Sequence, residues 1–116
     1  MSRSILPFLQ HILSETRYLM ARSQGVTKAE FLSDETLKRA FVRSLEIIGE
    51  AAKQIPDEIR QKYRYVDWRA MAAMRDRLIH GYLGVDYDIV WDAIITKVPV
   101  VQREVEQILH NESTDR

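Results

Sequence analysis

Apolar residues along this chain recur at helical spacing. Ile5, Phe8, Leu9, Ile12, Leu13, Leu19 and Met20 fall about 3.6 residues apart and predict a helix over 5–22, ended by Gly25. Thr27 followed by Glu30 is a capping-box pattern that opens a short turn, TKAEFL. Asp34 is a good N-cap for a second long helix, with Glu35 in its first turn. There Leu37, Phe41, Ser44, Ile48, Ala51 and Ile55 step 4-3-4-3-4, the rhythm of a bundle seam.

Pro56 suits the first position of a short helix, PDEIRQKY. Asp67 caps the next, WRAMAAMRDRLIHG, and Gly81 and Gly84 mark its end. Asp86 or Asp88 opens the last helix, where Tyr87, Trp91, Ile94, Val98, Val101, Val105 and Ile108 keep a 4-3-4-3-4-3 stripe. Pro99 lies off that stripe and is expected to kink the helix without unseating its apolar face. The polar tail HNESTDR is expected to fray. VWDAIITKVPVV is β-branched, but its seven-position stripe favours a helix, and no segment alternates with period two for long. The expectation is an all-α fold, an antiparallel bundle of four to five helices forming one domain over 1–116. So small a bundle leaves an apolar strip that a homodimer would bury.

Composition adds little to this. Hydrophobic residues make up 46% and charged residues 29% of 116 positions, as in an ordinary globular domain. There is no cysteine, so disulfides and thiolate metal sites are excluded. No apolar run approaches the roughly 20 residues of a membrane span. The N-terminal MSRSILPFLQHIL is broken by Pro7, Gln10 and His11 and lacks a small-residue cleavage pattern; the expectation is a cytoplasmic protein with no membrane partner. Net charge is zero, which gives no bulk attraction to nucleic acid. Its distribution is uneven: residues 60–80 hold six basic and two acidic side chains, residues 86–116 three basic and seven acidic.

The basic segment contains the chemically dense stretch MRDRLIHGY, residues 74–82. On a helix Arg75 and His80 lie about 140° apart, whereas Asp76 and His80 lie about 40° apart and share a face. Asp76 is therefore placed to orient His80 or Arg75. Arg75 must reach round on its own stem or meet the histidine of a second chain across a two-fold axis. Arginine plus histidine suits cleavage of RNA by its own 2′-hydroxyl. A histidine titrating near neutrality moves the protons, and a guanidinium clamps the phosphate and stabilises the growing charge. Neither step needs a metal, and His11, His80 and His110 have no paired-ligand spacing. Arg77 and Arg69 are candidates for RNA phosphate contacts, and Glu46 and Glu50 for lining the cleft, where Gly49 would permit close helix approach. Trp68 and Trp91 fit the core better than a base-stacking platform, and Met71 and Met74 fit packing. The same Arg, Asp and His near a helix C-terminus also satisfy macrodipole and surface chemistry, so spacing leaves both readings open.

The runs SLEIIGEAAKQIP and YRYVDWRAMAAMRDRLIHGYLGVDYDIVWDAI resemble the HepT family of HEPN-domain toxins, over roughly residues 5–110. The family motif is an arginine, four to six residues, a histidine, and a tyrosine two further on; here it reads Arg75, His80 and Tyr82, with Asp76 in the polar position after the arginine. The resemblance implies a HEPN-like, homodimeric bundle with the motif residues of both chains facing one cleft. It implies a metal-independent endoribonuclease acting on transfer or messenger RNA, with no cofactor. It also implies a toxin–antitoxin partnership with an MNT-type nucleotidyltransferase, which silences the toxin by adenylylating Tyr82. The alternative is a non-catalytic module that binds a nucleotide or the nucleotidyltransferase.

Overall fold

In a computed structural model, residues 5–81 and 83–114 are described, and among them the regular elements are all helical. In chain order they are α1 (Leu6–Ser23), α2 (Lys28–Ser33), α3 (Glu35–Lys53), α4 (Asp57–Lys62), α5 (Trp68–His80), α6 (Tyr87–Asp92), a π-helical segment (Ala93–Lys97) and α7 (Val98–Thr114).

The boundaries follow local chemistry. Gly25 takes a φ of 79° after α1, a left-handed conformation that costs glycine little. The Thr27 hydroxyl accepts from the Glu30 N–H while the Glu30 carboxylate accepts from the Thr27 N–H, a complete capping box. Asp34, Asp67 and Asp86 cap α3, α5 and α6 through their side chains. Pro56 stands one position earlier than its spacing predicts: it is the N-cap of α4, with ψ at 159°, and Asp57 is the first helical residue. Tyr87 opens the last helical run with Asp86, not Asp88, as its cap.

α1, α3, α5 and the run from α6 through α7 form the bundle. α1 lies against α3 and α7, and α3 lies against α5. Lys38, near the start of α3, sits 4.6 Å over the Tyr87 ring just beyond α5. Arg60, on the connection between α3 and α5, donates back to the Ala52 and Ile55 carbonyls at the end of α3. Together these tie the two ends of α3 to the segments on either side of α5. The seam of α3 is buried at Phe41, Ser44, Ile48, Ala51 and Ile55, with Leu37 half-buried. At one end Phe31 of α2 stacks between Phe41 (5.4 Å) and Trp91 (5.0 Å), tying α2 and α6 to the core. Trp68 is buried and donates to the Tyr63 carbonyl, and both tryptophans are packing residues.

Two features depart from expectation. The chain approaches Pro99 through the π-helical segment Ala93–Lys97, which the spacing did not predict; the proline supplies no N–H and crowds the carbonyl four residues back. The stripe survives, with Ile94, Val98, Val105 and Ile108 buried. Nor does helical structure end at His110. α7 continues to Thr114 because Glu112 is buried and accepts from Lys62 (2.8 Å) and the Tyr63 hydroxyl.

Candidate active site

α5 carries the site, and Gly49 of α3 sets how close the two helices come. A Cβ at position 49 would stand 2.2 Å from the Arg75 Cβ and 2.5 Å from the Met71 carbonyl oxygen. Only glycine fits there, and the contact places the base of the Arg75 side chain. The guanidinium then lies between two carboxylates. Its Nη1 donates to Asp76 Oδ1 at 2.9 Å. Its Nε stands 2.8 Å from Glu50 Oε2, an ion pair whose angle falls short of a directed hydrogen bond. Lys53 Nζ approaches the same Asp76 Oδ1 at 3.4 Å. The group is partly open to water: the Arg75 side chain is 21% exposed, Asp76 49% and Lys53 41%.

The Arg75 hydrogen bond holds the Asp76 carboxyl below the usual carboxylate range, with Lys53 adding to the effect. In return Asp76, and then Glu50, raise the Arg75 guanidinium further above its ordinary value.

His80 is the last residue of α5 and is exposed. Its Nδ1 lies 2.9 Å from the main-chain carbonyl oxygen of Asp76. A carbonyl only accepts, so Nδ1 carries the hydrogen, and in the neutral ring Nε2 keeps the lone pair. Of the two partners expected for Asp76, its carboxylate meets Arg75, and its main-chain oxygen meets the His80 ring.

The other candidates divide. Glu50 joins the Arg75 cluster, whereas Glu46 pairs with Arg43 at 3.3 Å. Arg77 is exposed on roughly the opposite side of α5 from Arg75. It lines a groove of about 610 Å³ between α5 and the α6–α7 run, together with Met74, Ile89 and Lys97. Arg75, Asp76 and His80 do not line that groove. Arg69 is exposed in the first turn of α5. Tyr82 lies outside the described residues. Lys53 escaped the sequence reading; its signal was its place three residues after Glu50, on the same face of α3. Among the described residues no three histidine or carboxylate side chains gather at metal-binding distance.

The Ribonuclease HepT-like family matches residues 12–108. The chain belongs to this family. It is 48% identical over 106 residues to a protein of Caldanaerobacter subterraneus subsp. tengcongensis named "Putative RNase", covering 91% of this chain and 95% of that one. A Methanocaldococcus jannaschii protein, also named "Putative RNase", is 41% identical, with 92% and 88% covered. A Thermococcus cleftensis protein named "Probable ribonuclease HepT" is 34% identical, with 93% and 98% covered. No solved structure matches the chain. The HepT-like chain thus carries its arginine and histidine on one helix, each oriented by Asp76.

Proposed function

We propose that this protein is a metal-independent endoribonuclease, the toxin of a HEPN/MNT-type toxin–antitoxin pair. The observation that carries the reading is the pairing within α5: a guanidinium anchored by carboxylates and an imidazole of fixed tautomer, five residues apart, in a HepT-like chain.

His80 Nε2 removes the proton from an RNA 2′-hydroxyl, whose oxygen attacks the adjacent phosphorus. Arg75 binds the phosphate oxygens and stabilises the charge that builds on them. The bond to the 5′-oxygen breaks, and that oxygen takes up a proton from a water molecule while His80 returns its own to solvent. The products are a 2′,3′-cyclic phosphate and a 5′-hydroxyl. Asp76 positions both groups. Arg77 and Arg69 contact the RNA backbone further along the strand.

A homodimer brings the histidine of one chain to the arginine of the other. Arg75 and His80 diverge by about 140° around α5, so one chain does not aim both at one phosphate. Beside His80, Ile79 is 38% and Leu83 89% exposed, an apolar surface that a second copy would cover. Tyr82 follows two residues later and is the site at which the partner nucleotidyltransferase adds adenylate; an added anion there repels and blocks RNA.

The test is incubation of purified protein with labelled RNA in EDTA. Cleavage that leaves a cyclic phosphate and vanishes in His80→Ala, with melting unchanged, is expected. An inactive wild type carrying no adenylate by intact mass favours the non-catalytic module instead.

A further inference from the structure

We propose that Lys53 is a second phosphate-binding residue of this site, and that Asp76 Oδ1 holds the place of a phosphate oxygen until RNA arrives. The proposal rests on the ribonuclease reading. Two cations from different helices, Arg75 Nη1 and Lys53 Nζ, converge on one oxygen atom, at 2.9 and 3.4 Å. That is the arrangement in which a guanidinium and an ammonium share an anionic oxygen, and the carboxylate supplies that oxygen from within the chain.

The charges agree. Arg75 and Lys53 stand against Asp76 and Glu50, a quartet with no net charge. A neutral quartet is a poor lure for a polyanion. RNA gains both donors by exchanging its phosphate oxygen for that of Asp76, so no cation is left bare at any stage. The Lys53 contact is the longer of the two and involves half-exposed groups, hence it yields first. Glu50 holds Arg75 through Nε and is not part of the exchange. A lysine in the last turn of α3 also suits the helix macrodipole, and a purely structural lysine would serve there equally well. RNA binding separates the two roles.

The experiment uses the His80→Ala protein, which does not consume its ligand, and a fluorescent single-stranded RNA oligonucleotide titrated at several potassium chloride concentrations. Lys53→Gln in this background is expected to raise Kd roughly fivefold to tenfold at about 0.1 M salt. It is also expected to reduce the slope of log affinity against log salt by about 0.7, the loss of one contact to single-stranded nucleic acid. Lys53→Arg keeps both. Asp76→Asn removes the competing carboxylate charge and lowers Kd, although cleavage by the protein that keeps His80 falls because Arg75 loses an anchor. Unchanged Kd and slope in Lys53→Gln, or weaker RNA binding in Asp76→Asn, overturns the proposal and leaves the ribonuclease reading standing. Absence of RNA binding by the His80→Ala parent, with no cleavage by wild type, overturns both.

Discussion

Arg75 is held from two sides and His80 from one, and the difference sets what each substitution does. Arg75→Lys keeps a charge but loses the fork that spans Glu50, Asp76 and a phosphate. Arg75→Ala and Arg75→Lys are both expected to lower kcat, the alanine by roughly 10²–10³-fold, as for loss of a donor to transition-state charge; single-turnover cleavage measures this. Asp76 makes a pH prediction. Its carboxyl is lowered in the fold, so its pairing stabilises the protein above the ordinary value of 3.8 and is lost as pH falls through the lowered one. The Tm difference between wild type and Asp76→Asn is therefore expected to be constant from about pH 6 to 8 and to close on acidification below about pH 4. A gap that widens in acid contradicts the assignment.

Helix by helix, Gly49 and Glu112 decide what the seams alone do not. Gly49→Ala drives a methyl into the Arg75 Cβ and the Met71 carbonyl, neither of which is the end of a flexible chain. It is expected to destabilise by about 1–3 kcal/mol in denaturant titration and to reduce cleavage by moving Arg75. Tyr63→Phe removes a donor to the buried Glu112 carboxylate and is expected to cost about 1.5–3 kcal/mol. The α3 seam, the aspartate caps and the glycine breaks were legible because each is a local rule written in neighbouring residues. The π-helical segment was not: proline marks a fault in the ladder but not how the preceding turn absorbs it. The length of α7 was hidden too, since HNESTDR reads as polar until Glu112 meets Lys62 and Tyr63 across about 50 positions. The site was half legible. Arg75, His80 and Glu50 stood out, but Lys53 reaches Asp76 only through tertiary packing, and Asp76 was legible as a neighbour of His80 without showing which of its oxygens that ring meets.

At the scale of the whole molecule, a neutral chain divides its charge between a basic stretch containing α5 and an acidic C-terminal run. Among the described residues no helix is long and apolar enough to cross a membrane. In the proposed mechanism catalysis takes place between two copies of this chain, with the arginine of one acting beside the histidine of the other. Mixing subunits tests that claim most directly. Arg75→Ala and His80→Ala proteins are each expected to leave labelled RNA intact in EDTA. Exchanged into mixed dimers, they restore a fraction of wild-type cleavage, because one arginine and one histidine again face each other across the interface. A mixture that stays silent beside an active wild type, with exchange confirmed by mass, contradicts the shared cleft.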